Sequence, residues 1–175
     1  MGRPHVPEKV KIITSLFSRD MELLDKTKKS LEKFFGRTDY ESPLLDFTHT
    51  EYYKGEMGEG LKRKFISFEK LRSLKNIYVL KLITNKLECH ALEDGCRRIN
   101  VDPGYLDLAK LVLFSTKDYI HRIYLDKGIY AEATLYYKDK SYKPWPWTYP
   151  DYATSAYIDI FNSIRERYKK NIRGT

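Results

Sequence analysis

Glutamine is missing altogether from the 175 residues, cysteine occurs only twice, and no apolar run is long. Each shortage excludes something. Two cysteines, Cys89 and Cys96, in a chain long enough to bury its own core argue against a disulfide-stapled scaffold, and both are read as reduced thiols. With His90 they form a Cys-His-x5-Cys cluster, but that spacing fits no common zinc pattern and no fourth ligand stands nearby. No metal site is expected. The longest apolar run, Leu111 to Phe114, falls far short of the roughly 18 residues a membrane span needs. Met1 to Lys9 carries charges and two prolines without an apolar stretch after a basic start, which does not read as a secretory signal. A cytoplasmic protein away from membranes is the expectation. P-loop, Rossmann, zincin and nucleophile-elbow motifs are all lacking, so the commonest enzyme classes lose their sequence support and no cofactor is identified.

Charge is what the chain has in plenty. Lys and Arg number 32 against 24 Asp and Glu, a net +8, and a basic surface favours anionic partners: phosphates, nucleotides, nucleic acid or acidic proteins. The same wealth of Lys, Glu, Tyr and Ile is also the composition of a thermophile protein that solvates its surface with charge. The charge count does not choose between these readings. With 42% hydrophobic residues the chain is globular, and nothing along it marks a linker or a repeat. One domain over residues 1–175 is expected, residues 1–9 being a loosely packed segment.

Val10 to Phe17 reads as a buried strand, and Ser18 or Asp20 can cap a helix over Met21 to Phe35 that Gly36 ends. Leu44 to Tyr53 reads as extended, Gly55, Gly58 and Gly60 as a loop, and Leu61 to Phe68 as a strand. Helical spacing resumes from Glu69 to Ala91, with Ile77, Leu80, Ile83 or Thr84, Leu87 and Ala91 inward. A strand over Arg97 to Val101 leads to Asp102-Pro103-Gly104-Tyr105, whose proline and glycine match a type II turn. Leu111 to Ser115 is a further strand, Tyr119 to Tyr137 a hairpin, and Tyr152 to Asn171 the last helix. The order predicts an α+β fold: one antiparallel or mixed sheet covered by about three helices. Its first hundred residues follow the β-α-β-β-α-β order of a ferredoxin-like unit.

The densest polar and aromatic stretch runs from Arg97 to Tyr152. Its motifs are Asn100 to Leu106 (NVDPGYL), Lys117 to Leu125 (KDYIHRIYL) and Trp147 to Tyr152 (WTYPDY). On these the chain resembles the bacterial and archaeal family called domain of unknown function 4416, over nearly its whole length. That family often has arginine after Pro-Asp-Tyr, where this chain has Ala153. The resemblance implies no activity.

The residues therefore carry the functional argument themselves. Asp126-Lys127-Gly128 suits a three-residue hairpin loop that sets Leu125 opposite Ile129, Tyr124 opposite Tyr130 and Arg122 opposite Glu132. Alternation then places Ile123, Leu125, Ile129, Ala131, Ala133 and Leu135 in the core, and Arg122, Tyr124, Tyr130, Glu132 and Thr134 on the other face. An Arg122–Glu132 pair is a structural contact or part of a site. His121 is a hydrogen-bonded core residue or a general acid beside Lys117 and Arg122. Arg97 and Arg98 point to opposite faces of a regular strand, so only one can join a site. Asp102 stabilises its own turn. Glu132 and Asp151 are the carboxylates for acid–base work or magnesium binding. The segment Tyr142 to Tyr152, with three prolines, is a strap that either buries a tryptophan or offers Trp147 as a stacking wall. The resulting candidates are Glu132, Asp151 and His121 as catalytic groups and Arg97, Arg98, Lys117, Arg122, Tyr124 and Trp147 as ligand contacts. The expected ligand is a small phosphate- or nucleotide-like anion. An RNA or single-strand binding module and an interaction domain without chemistry are the alternatives.

Overall fold

The computed structural model describes residues 2–48 and 52–173. Strand β1 (Lys11–Ser18) is buried at every position, as its β-branched run demands. It passes into α1 (Met21–Phe35), where the Asp20 carboxylate caps the helix by accepting the Leu23 N–H at 2.9 Å. Two short strands follow, β2 (Thr38–Glu41) and β3 (Leu45–Asp46), then a single helical turn, α2 (Lys54–Met57). Next come β4 (Lys62–Phe68), α3 (Val79–His90) and a small hairpin, β5 (Leu92–Glu93) with β6 (Cys96–Arg97). The chain continues through β7 (Ile99–Leu106), β8 (Lys110–Ser115), β9 (Ile123–Asp126), β10 (Ile129–Lys138) and β11 (Ser141–Pro144) to α4 (Ser155–Arg173).

The main sheet runs β11-β10-β8-β7-β1-β4-β2, with β3 beside β4 and β9 beside β10. Its pairings are antiparallel. The fold is α+β. Within it, β7-β1-β4-β2 is the strand order of a β-α-β-β-α-β unit whose two crossovers are α1 and α3. Both helices cover one face, where Leu24, Leu31, Phe35 and Leu80 pack on Ile12, Leu16, Ile66 and Val101. Helix α4 covers the other through Tyr157, Phe161, Ile164 and Tyr168 against Ile13, Phe65, Leu111 and Leu135. Each such buried side chain contributes about 1.5–3 kcal/mol, so the two apolar layers clamp the sheet rigidly from both sides. None of the described helices is long and apolar enough to cross a membrane.

Several expectations need correction. Asp102-Pro103-Gly104-Tyr105 is not a turn but the middle of β7, paired with Ser15, Thr14, Ile13 and Ile12 of β1. Gly104 also faces Leu113 of β8, and a Cβ on it would lie 2.2 Å from the Val112 carbonyl oxygen. Close approach of two backbones requires the glycine there, not a positive φ. Pro103 lies where β8 has not yet begun to pair, the half-open position in which a strand tolerates proline. Helix α3 starts ten residues later than its spacing suggests, because Asn76 takes a left-handed φ of 56° that breaks the helix. Gly55 lies inside α2 rather than in a loop, and of the stretch Leu44 to Tyr53 only β3 is strand, residues 49–51 lying outside the described residues.

The β9–β10 hairpin closes on two residues, Lys127 and Gly128, both at positive φ, so Asp126 and not Leu125 faces Ile129. A bulge then restores the expected pairing of Tyr124 with Tyr130 and Ile123 with Ala131. A second bulge, at Thr134, turns Leu135 onto the α4 face while Ile129 stays on the other. Ile123 is 72% exposed and not core, since β9 is a four-residue outer strand. The strap opens as an edge strand, β11, joined to β10 by Asp139 and Lys140, again both at positive φ.

Candidate functional site

The sheet splits in one place. Strands β7 and β8 pair only from Gly104 to Leu106 against Leu111 to Leu113. Beyond that, β7 stays on β1 as far as Ile99 while β8 stays on β10 as far as Ser115. A cavity of about 650 Å³ fills the wedge, roofed by Phe47, Tyr52 and Tyr53 on one side and by Tyr149 to Tyr152 on the other. That volume suits a small molecule.

Helix α3 supplies the back wall through Lys81, Asn85 and Glu88, spaced i, i+4, i+7 on one face. Val101 is paired with Leu16 of β1, but on its other side, where β8 has left, it lacks a strand partner, and buried backbone groups must find one. Glu88 Oε1 accepts the Val101 N–H at 2.6 Å, and Lys81 Nζ donates to the Val101 carbonyl at 3.1 Å and to Asp102 Oδ1 at 3.1 Å. Two side chains thus stand in for a missing strand. Burial pushes the Glu88 carboxyl above its usual range, against the pull of Lys81. From Asp102 a chain of bonds runs outward: Asn100 Nδ2 donates to Asp102 Oδ2 at 2.6 Å, and Arg97 Nη1 donates to Asn100 Oδ1 at 2.9 Å. Arg97 then grips both oxygens of Glu56, at 2.7 and 2.6 Å. Those hydrogen bonds hold the Glu56 carboxyl low and raise Arg97 further. Tyr53 lies by the Arg97 guanidinium, 5.6 Å from ring centre to Cζ, and its phenol is pushed up by burial and by Asp102.

The facing wall holds two further ion pairs. Arg63 is buried against Asp151 and lies over the Phe47 ring at 3.9 Å; its Nε–H finds no acceptor among the described residues. Glu132, 2% exposed, receives Arg122 Nε on Oε2 at 2.9 Å, with His121 Nε2 3.0 Å from the same oxygen. Arg122 also donates to Ser115 Oγ at 3.1 Å, to the Lys117 carbonyl at 3.0 Å and to the Tyr149 hydroxyl at 2.8 Å. It ties the end of β8, the loop after it and the strap into one rim. On that rim Lys117 Nζ reaches, among the described residues, the Tyr52 phenol, donating to its oxygen at 3.1 Å and lying 4.8 Å from its ring.

Of the residues singled out from sequence, Arg97, Lys117, Arg122, Glu132 and Asp151 line this cavity together. The others lie elsewhere. Arg98 bonds Asp20 at 2.5 Å at the cap of α1, the opposite side from Arg97. Tyr124 is exposed against Tyr130. His121 touches Glu132 from outside, before β9 begins rather than on a core face, and stacks on Trp147. Trp147 donates to the Ala133 carbonyl at 3.1 Å and stacks on Trp145, part of an outer ladder of Tyr136, Trp145, Trp147, His121 and Tyr119. Asp102 serves Lys81 and Asn100 and not a turn. Sequence reading overlooked Arg63, Lys81, Asn85 and Glu88. The signal for the last three was their i, i+4, i+7 spacing beside an apolar stripe; Arg63 gave none beyond its place in an alternating strand.

The sequence model of one family, described as a domain of unknown function (DUF4416), matches residues 8–168. Neither a curated protein nor a solved structure matches the chain.

Proposed function

Because the chain belongs to the DUF4416 family, a domain of unknown function, we propose a role from the cavity: it binds a small ligand bearing a phosphate-like anion, received at the rim by Lys117 and Arg122. One observation carries this reading. Of the cations lining the cavity, Arg63, Lys81, Arg97 and Arg122 each bond a carboxylate, whereas Lys117 has none among the described residues. A rim cation held in place by neutral partners keeps its charge available to an incoming anion. Arg122 adds a remaining Nη2 hydrogen beside it, on a guanidinium already fixed by four bonds.

Thermal unfolding tests the reading with inorganic phosphate, ribose 5-phosphate and the nucleoside monophosphates. A ligand at 100 times its Kd adds about 2.7 kcal/mol, a rise of roughly 5–10 °C for a chain of this size. Wild type should show that rise with at least one phosphate compound, and Lys117→Ala should lose most of it. No response from any of them, or a full response in Lys117→Ala, would overturn the assignment.

A further inference from the structure

Resting on that reading, we infer that the ligand is built like a nucleoside monophosphate, with one phosphate joined to a neutral planar heterocycle. Size comes first. A water molecule takes about 30 Å³ of liquid, so a cavity of about 650 Å³ is far larger than the five heavy atoms of a phosphate need. Something else must fill it.

Charge limits what that is. Behind Lys117 the cations are already matched: Arg63 by Asp151, Lys81 by Asp102 and Glu88, and Arg97 by both oxygens of Glu56. A second or third phosphate entering there would face buried carboxylates and break bonds that hold the β7 edge. The deep part therefore suits a neutral body, and the rim takes a single anionic group.

The walls indicate the shape of the body. Tyr53 and Tyr149 both border the space, and aromatic rings favour flat partners stacked on their faces. Between Lys81 and Glu88, the half-buried Asn85 amide makes no hydrogen bond among the described residues. An amide offers a donor and an acceptor side by side, the complement of a heterocycle edge that carries C=O or ring nitrogen next to N–H. Every charged neighbour on that wall is spoken for, and Asn85 is left to read a ligand.

Isothermal titration of the full chain at physiological salt separates these elements. The probes are inorganic phosphate, ribose 5-phosphate, the four common nucleosides, and their mono- and triphosphates without added metal. At least one monophosphate should bind tenfold or more tighter than both its nucleoside and ribose 5-phosphate, and its triphosphate should bind no tighter. Lys117→Ala should erase the gap between monophosphate and nucleoside. Asn85→Leu, and Asn85→Ser as a variant that cannot crowd α3, should erase the gap between monophosphate and ribose 5-phosphate. Ribose 5-phosphate matching the best monophosphate sinks the heterocycle, and a triphosphate tenfold tighter sinks the single phosphate; in both cases the anion site at Lys117 survives. Binding of no phosphate compound, or equal binding of nucleoside and monophosphate, overturns the anion site along with the inference.

Discussion

Glu88 shows what the split sheet costs. Its carboxylate is buried so that it can accept the Val101 N–H, and burial outweighs the attraction of Lys81 in setting its raised pKa. A folded-state pKa above the unfolded value means that the ionised form opposes folding. The stability tied to Glu88 is present in full below the unfolded pKa and is lost as pH rises through the folded one. Glu88→Gln keeps an acceptor oxygen without the charge, so it should equal wild type near pH 4 and exceed it at pH 8 in urea unfolding. Equal stability across that range, or a loss at pH 8, would contradict the assignment. Arg122 and Lys117 make a second contrast. Removing Arg122 leaves Glu132 buried with His121 and the Thr134 hydroxyl as its side-chain partners among the described residues and no arginine, and Arg122→Ala should cost about 3 kcal/mol. The exposed Lys117 carries no such burden, and Lys117→Ala should change stability by less than about 0.5 kcal/mol. Urea midpoints at pH 7 decide both values.

The three paired residues that join β7 to β8 set the width of the wedge, and Gly104 is the point where the two strands touch most closely. Gly104→Ala puts a methyl group against the Val112 carbonyl and should destabilise the fold by about 1–3 kcal/mol, seen as a lower urea midpoint. An unchanged midpoint would mean that the strands can part there freely. The elements that depend on one local pattern were legible in the sequence, β1 from its β-branched run and α1 from its cap and stripe. The β-α-β-β-α-β order was legible from their succession, but its second strand is β2 (Thr38–Glu41), which reads as a loop, and not the stretch Leu44 to Tyr53. What escaped depended on partners distant in the chain. Pro-Gly spells a turn locally, yet β1 and β8 on either side hold it as strand. Lys81 and Glu88 look like solvent-facing charges until β8 departs and leaves Val101 in need of partners. The site was half legible for the same reason. Lys117, Arg122 and Glu132 are neighbours across one hairpin, whereas Arg63 and Asp151 meet only through the tertiary fold.

The net charge of +8 already counts every carboxylate, so ion pairs leave it unchanged, but they cut the number of cations free to meet phosphates: Lys11, Lys28, Lys62, Lys64, Arg97 and Arg98 are all held by carboxylates. Binding to RNA should accordingly be weaker than micromolar at physiological salt. A gel shift showing submicromolar affinity with a steep salt slope would reverse that ranking, and would turn attention to the outer ladder of Trp145, Trp147 and His121. Ligand should enter the wedge between β7 and β8. Amide chemical shifts of the labelled protein, titrated with the tightest-binding nucleoside monophosphate, locate it. Perturbations should appear at Val101, Asp102, Ser115, Thr116 and Lys117 and at the Asn85 side-chain amide. Perturbations confined to the Trp145–Trp147 ladder, or to the shallow groove of Arg37, Arg167 and Lys170, would contradict it.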